Sequence, residues 1–407
     1  MNTIGIIAEY NPFHAGHKYH IEKTKELIGD STVIAVMSGS FVQRGEPGII
    51  SKYKRAQMAV LCGVDLVIEL PTIFACNEAS QFAKGAVSLL DKLGVVDYIS
   101  FGSETGCLNS LSKIARLLTE ETDEFKHTMK DNLDKGLSYP KARELAIAHC
   151  LDADTAKIMS GSNNILAIEY IKQLYLLNSK ILPVTIKRVG SAYNDESDLF
   201  FPLSAKSIRG KMTEIVDFTM FDKNIPAEII QENNKFNRLR KCELNDFYDL
   251  FRYKVLNTSK GDLEEIYAAG EGLTNKLKDR IRYANSFDQL TEQIISKRYT
   301  RTRIQRLYIQ ILLGLNKNDY RELSKDGAEY ARILAFNQKG AEIIKQIKKN
   351  ELSTIPIITN INKEYSKLSE SARKVIEYDI LATDIYNIAQ KNNLYDNSDY
   401  IKKPEKL

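Results

Sequence analysis

Four short, nearly uninterrupted apolar runs fall within the first 101 residues, at 4–8, 33–37, 65–70 and 97–101, and helix-periodic stretches separate them. A run of that length without polar alternation suits a strand buried on both faces, as in the interior of a parallel sheet. The intervening stretches, 16–28, 51–62 and 77–93 with Gly94 as a stop, supply the crossovers that parallel strands need. Such a βαβαβ alternation predicts a doubly wound α/β fold. It also predicts where a ligand binds: beyond the carboxyl ends of the strands, where strand order reverses.

Helices are expected over 110–151 and 163–177. A strand at 181–188 follows, then a polar loop containing Ser191-Ala-Tyr-Asn-Asp195, then a short helix opened by Leu203-Ser-Ala-Lys-Ser-Ile-Arg209. Beyond Asp217 strand signals thin out, and charged, helix-periodic stretches take over at 262–268, 290–315 and 328–348. The 407 residues therefore read as two domains: 1–216, a Rossmann-like α/β domain with a parallel sheet, and 217–407, mainly helical. One late apolar run, 354–359, has strand character, and 402–407 read as a disordered tail.

At 43% hydrophobic and 27% charged residues the chain has enough apolar surface for a sizeable core. A net charge of +4 permits a nucleic-acid partner without requiring one, so the local distribution of charge decides. Cys62, Cys76, Cys107, Cys150 and Cys242 are far apart and form no CxxC pair, a pattern of free thiols in a reducing compartment. The first apolar run, 3–8, is too short for a signal peptide or a membrane span. The expectation is a cytoplasmic protein with no membrane contact and no stable protein partner.

The densest chemistry follows the first run. Three of the five histidines, His14, His17 and His20, fall within seven residues, after a turn carrying Asn11-Pro12 and around a helix start at Gly16. Amide N–H groups at a helix start are unpaired donors, and the helix dipole there favours an anion. Gly16 lets a phosphate approach the backbone, and His14 and His17 flank it as candidate catalytic donors for the charge that builds on a phosphate undergoing transfer. An ordinary surface turn is the plain alternative. A zinc site would want an acidic or thiol ligand beside the histidines, and none accompanies them, so the expected metal is none.

Three later pieces suit the same pocket. Phe101-Gly102-Ser-Glu104 closes the fourth run, with a glycine that admits a base or ribose against backbone; an ordinary β–α turn reads the same way. Ser160-Gly-Ser-Asn163-Asn164 is a helix start, as plain capping would also make it. Ser204 caps the helix that carries Arg209, placed to grip phosphates; a capped surface helix is the alternative.

His14-Ala-Gly-His17 with Ser-x-x-Ser-Ile-Arg at 204–209 resembles the HxGH nucleotidyltransferase superfamily. A closer set comprises residues 8–17 (AEYNPFHAGH), 37–47 (MSGSFVQRGEP), 65–71 (DLVIELP) and Lys297-Arg-Tyr-Thr300, and it is similar to the tRNA(Met) cytidine acetate ligase family. That resemblance implies activation of acetate by ATP, with Mg2+, followed by acetylation of the wobble cytidine of elongator tRNA(Met). It implies ATP contacts at Ile7, Ala8, Glu9, Tyr10, Asn11, Pro12, Phe13, His14, Ala15, Gly16, His17, Lys18, Tyr19 and His20, at Gly102, at Asn163 or Asn164, and at Arg188. Gln43 and Arg44, in the stretch after the second run, are placed to face substrate.

In the second half, Lys297, Arg298, Arg301, Arg303 and Arg306 put five cations into ten residues with Tyr299 among them. A helix carrying them would offer cations to an RNA backbone and an aromatic ring to a splayed base; a solvated helix face is the alternative. Two other classes stay open: a small-molecule adenylyltransferase of cofactor synthesis, and a non-catalytic RNA-binding protein on the same fold. The Arg-rich segment argues against the first, and the histidine pair against the second.

Overall fold

The computed structural model describes residues 2–188, 203–232, 236, 239–270, 272–296 and 298–407. The 191–195 loop and Lys297 lie outside the described residues. Strands β1 (Asn2–Ala8), β2 (Ser31–Ser38), β3 (Leu66–Leu70), β4 (Tyr98–Ser103) and β5 (Leu182–Lys187) form a parallel block in the order β3-β2-β1-β4-β5. Helices α1 (Ala15–Ile28), α2 (Lys52–Leu61), α3 (Ala79–Lys92) and α4 (Ser162–Leu176) fall between them. All four apolar runs are strands. Alternate residues of β2 feed two separate cores: Ile34 and Val36 join one cluster, while Val33, Ala35 and Met37 join the other. Period-two alternation with both faces covered explains why the run is apolar throughout. The order turns at β1, with β2 on one side and β4 on the other, so the crevice lies past the carboxyl ends of β1 and β4.

The second half departs from the expectation. Of the stretch read as helical, residues 331–336 are a strand, β6 (Ala331–Phe336), which pairs antiparallel with β3, and only the following part is helical (Gln338–Lys349). A short apolar stretch interrupted by Arg332 satisfies either periodicity, and the exposed edge of β3 decides it. Ile357–Ile358 pairs with β6, as its strand character suggested, and so does Glu405–Lys406. Residues 402–407 are therefore not a loose tail, and the division at Asp217 does not separate sheet from helices.

A buried charge network ties this returning segment down. Lys52 Nζ sits 2.7 Å from Glu69 and 2.8 Å from Asp399, and Arg332 lies 2.6 Å from Asp399, all with side chains at most 4% exposed. Each charge is compensated by another at close range, the condition under which buried ions are tolerated. The stretch 290–315 is likewise two helices, Phe287–Ile294 and Arg301–Leu313, broken by the turn between them.

Candidate active site

β1 ends at Ala8, and the chain turns through Tyr10, in the left-handed region at φ 46°, before α1 begins. Tyr10, Phe13 and His17 pack as an aromatic group, with ring centroids 4.8–5.4 Å apart. Asn11 pins the turn to the 38–50 segment: its Nδ2 donates to the Pro47 carbonyl at 3.2 Å and its Oδ1 accepts from the Ile49 amide at 2.7 Å.

His14 is the N-cap of α1. The Gly16 amide donates to its Nδ1 at 3.0 Å, and the His14 amide donates to Nδ1 of His17 at 3.2 Å. An imidazole whose Nδ1 accepts an amide carries its proton on Nε2 when neutral. Burial pushes the His14 pKa down to about 3, with Arg188 and Arg209 adding to the drop. His17 is held well below the ordinary value by burial, then by His14 and Arg188. Both rings are thus neutral near pH 7 and present Nε2–H donors, side by side at 3.8 Å between centroids.

His20 is fixed by a different device. The Thr24 hydroxyl donates to the His20 carbonyl at 2.7 Å, and Ser100 Oγ lies 2.7 Å from Thr24 Oγ1 and 2.9 Å from His20 Nε2. With the Thr24 proton committed, Ser100 donates to Thr24, and His20 Nε2–H donates to Ser100. Burial first, then Arg188, lowers the His20 pKa to about 4. Ser100 and Thr24, both fully buried, were not singled out from sequence. Their signals are a hydroxyl inside an apolar run and a Thr one helical turn past a histidine.

The three imidazoles line a cavity of about 200 Å³ together with Ile7, Ala8, Glu9, Tyr10, Gln43, Arg44, Gly102, Asn163, Arg188 and Ser204. Gly16 and Tyr19 line a smaller adjoining cavity that shares the three imidazoles. A Cβ on Gly102 would stand 3.2 Å from Arg188 Cγ, so the glycine is what lets Arg188 lie over the end of β4. Surrounding protein lowers the Arg188 pKa, and Glu104 opposes the drop.

Other expected contacts lie elsewhere. Asn11, Pro12, Phe13, Ala15 and Lys18 do not line the cavity. Lys18 pairs with Glu228 at 2.5 Å. Of the asparagine pair, Asn163 reaches the cavity, whereas Asn164 is buried and its Oδ1 accepts the amides of Glu104 and Thr105 at 2.9 and 3.2 Å. The start of α4 already holds an anion: Glu104 accepts from the Asn163 and Asn164 amides at 3.0 and 2.7 Å. Ser204 caps the helix Ala205–Lys211, here α5, by accepting the Ser207 amide at 3.1 Å. Arg209 does not line the cavity in this state; it donates to the Asn11 carbonyl and to Glu46, each at 2.7 Å.

A residue missed from sequence is Arg55, a fully buried guanidinium on α2. It donates to the carbonyls of Glu9 at 2.7 Å and Ser38 at 3.1 Å, and also to that of Gly39, so it holds the cavity's β1 and β2 loops together.

The arginine-rich segment does not form one basic helix face. Arg298 precedes the helix Arg301–Leu313, and Lys297 lies outside the described residues. Tyr299 is 5% exposed and packs on Gly270, where a Cβ would come within 2.6 Å of its hydroxyl, so it does not offer a stacking surface. Arg301 pairs with Asp288 at 3.4 Å and with Glu292. Arg298 and Arg303 are exposed, with guanidinium groups over the Tyr299 ring at 5.6 and 5.0 Å. Arg306 is half-buried beside the 42–45 turn, its pKa lowered by burial, with Arg303 and Arg44 adding to the drop.

A histidine pair capping the helix after β1 of a doubly wound sheet defines a nucleotidyltransferase of the HxGH type, and residues 1–400 match the HIGH Nucleotidyl Transferase family model. The chain is 44% identical over 411 residues to the tRNA(Met) cytidine acetate ligase of Thermoanaerobacter sp. (strain X514), covering all of both chains. It is 41% identical over 404 residues to that of Acetivibrio thermocellus, covering 96% of each. Its fold matches the crystal structure of apo Thermotoga maritima TmcAL with a TM-score of 0.91 at 33% identity over the full length of both. The form of that protein bound with alpha-thio ATP matches at 0.90 and 32% identity, again over the full length of both chains. The chain belongs to the tRNA(Met) cytidine acetate ligase family.

Among the described residues no helix is long and apolar enough to cross a membrane.

Proposed function

We propose that this chain condenses ATP with acetate to acetyl-adenylate, releasing pyrophosphate, and passes the acetyl group to the exocyclic amine of the wobble cytidine in elongator tRNA(Met). The observation that carries the first step is the pair of neutral Nε2–H donors on His14 and His17 at the switch point. When a carboxylate attacks the α-phosphorus, negative charge grows on the phosphate oxygens, and fixed donors aimed there stabilise the transition state without reorganising. The names of the relatives, and the nucleotide in one matched structure, support ATP and the RNA substrate.

In this reading Gly102 and Asn163 flank the nucleoside, and Arg188 neutralises phosphate charge. Ser204 lines the cavity, and Arg209 acts by holding the Asn11 turn against Glu46. Among the described residues no group of three or more His, Cys, Asp or Glu side chains is arranged to hold a metal ion. Mg2+ would be carried on the ATP phosphates and neutralise charge on the departing pyrophosphate. The exposed Arg298 and Arg303, with Arg301 and Arg306, form the RNA-facing surface of the helical region after Asp217, and Tyr299 acts as the platform they rest on.

Pyrophosphate release over a panel of short carboxylic acids, with and without tRNA, tests the proposal. Release driven by acetate alone, with acetylcytidine appearing only when tRNA is added, is the expected result. Release driven by a different small molecule, with no tRNA-dependent step, would identify a cofactor-type adenylyltransferase instead.

A further inference from the structure

Transfer to cytidine, on the reading above, requires a proton acceptor that the histidines do not supply. The N4 lone pair is delocalised into the ring, so the amine attacks the acetyl carbonyl well only if a base removes its proton as the bond forms. Nδ1 of His14 and of His17 is occupied by a backbone amide, and their Nε2 positions are donors. Nδ1 of His20 is an acceptor, but a ring with a pKa of about 4 is a poor base.

Glu9 is the one carboxylate among the described residues that line the cavity. It follows the last residue of β1, and its position is set twice. Its carbonyl is gripped by the buried Arg55 at 2.7 Å, and one carboxylate oxygen, Oε1, accepts the Gln43 amide at 3.0 Å. Rigid support of this kind keeps a reacting group within a fraction of an ångström of its working geometry. Burial raises the carboxyl pKa above its ordinary value and makes it the stronger base; Arg209, the Gln43 amide and Arg44 oppose the rise, and Glu46 adds to it. The other ionisable groups that sense it are Arg55 on α2, Tyr170 on α4 and Cys76.

We propose that Glu9 is the catalytic base and the cytidine-selecting residue of the transfer step. Its carboxylate accepts a hydrogen bond from the N4 amine. N4 attacks the acetyl carbonyl, the N–C bond forms, the bond from that carbon to the phosphate oxygen breaks, AMP leaves, and the amine proton passes to Glu9 and then to water. A carboxylate pairs with the amino group of cytosine, while uracil turns a carbonyl lone pair toward the same oxygen, so the same contact rejects uridine.

The test is Glu9→Gln, which keeps an oxygen for the Gln43 amide and removes the base. Acetate-dependent pyrophosphate exchange and single-turnover transfer to a tRNA(Met) transcript are followed in parallel. Transfer should fall by roughly 10²–10⁴-fold, the range for loss of a general base, while exchange falls less than about tenfold. The wild-type transfer rate should decline at low pH as Glu9 takes up its proton, and that limb should vanish in Glu9→Gln. Glu9→Asp, which restores a carboxylate, should recover part of the transfer.

Equal loss of exchange and transfer, in a folded or an unfolded Glu9→Gln protein, would make the carboxylate a tether for the 38–47 loop and overturn the proposal. Unchanged transfer would overturn it as well. Wild-type protein that shows neither exchange with acetate nor transfer would instead refute the ligase reading on which this inference rests.

Discussion

Replacing His14 by Ala and by Asn separates two jobs held by one side chain. The imidazole offers Nε2–H to the reacting phosphate, and its Nδ1 accepts the Gly16 amide at 3.0 Å to cap α1. Ala removes both. Loss of one preorganised donor costs roughly 3 kcal/mol of transition-state stabilisation, a factor of about 10²–10³ in kcat. Loss of a helix cap costs about 1 kcal/mol of stability. Asn is among the best N-cap residues, so His14→Asn should recover the stability while its short side chain, committed to the cap, cannot donate to phosphate. His17→Ala gives up the bond from the His14 amide and the ring packing against Tyr10 and Phe13, and should show the activity loss with a stability change of its own. Pyrophosphate exchange at saturating ATP, calorimetric ATP affinity and urea denaturation read the three quantities. Turnover should fall in all three variants, with ATP affinity changing by less than about tenfold, the pattern of an interaction made mainly in the transition state. Restored turnover in His14→Asn, or an affinity loss matching the loss of kcat, would refute the donor argument.

Arg188→Ala should weaken ATP binding by about tenfold or more through loss of a charge-assisted bond; Gly102→Ala should reproduce part of that loss by displacing the Arg188 stem, and titration calorimetry on both reads it. Acid should destabilise the fold between pH 6.5 and about 3: the folded-state pKa values of His14 and His20 are depressed to about 3 and about 4, so the unfolded chain binds the extra protons and stability falls as pH drops. Denaturation midpoints across that range, compared between wild type and His20→Asn, should show a shallower pH slope in the variant. Changing Arg298, Arg301 and Arg303 together to Ala should spare acetate-dependent exchange and reduce the salt dependence of tRNA binding, since an RNA backbone neutralised by fewer cations releases fewer counterions; equal salt slopes would return these arginines to a solvated surface.

The parallel block and its ligand crevice were legible because their signals are local. Four apolar runs, intervening helix periods, and a glycine between two histidines each fit within a few residues. What escaped depends on distant partners. β6 reads as part of a charged helix until the open edge of β3 is known to need a partner. The last residues read as loose until Asp399 is seen between Lys52 and Arg332. The arginine segment fails as a helix face for a related reason: charge counting does not reveal that Asp288 and Glu292 stand beside Arg301, or that Tyr299 turns inward onto Gly270. Within the site, His14, His17, Gly102, Asn163 and Arg188 come together as the motif suggested, whereas Arg209 faces Glu46. The capping of α4 by Glu104 could not be read from spacing, because the carboxylate lies 59 positions from the first amide it accepts.

On the proposed function, His14 and His17 act on the α-phosphate of ATP held past the ends of β1 and β4. A crystal structure of this protein with an ATP analogue that cannot be cleaved between the α- and β-phosphates tests it most directly. The α-phosphate oxygens should lie within about 2.7–3.2 Å of Nε2 on both imidazoles, the distance of an N–H···O hydrogen bond, with Gly102 against the nucleoside and Arg188 on the phosphates. A nucleotide seated away from both imidazoles, or bound with a histidine Nδ1 turned to phosphate and the cap of α1 broken, would contradict it.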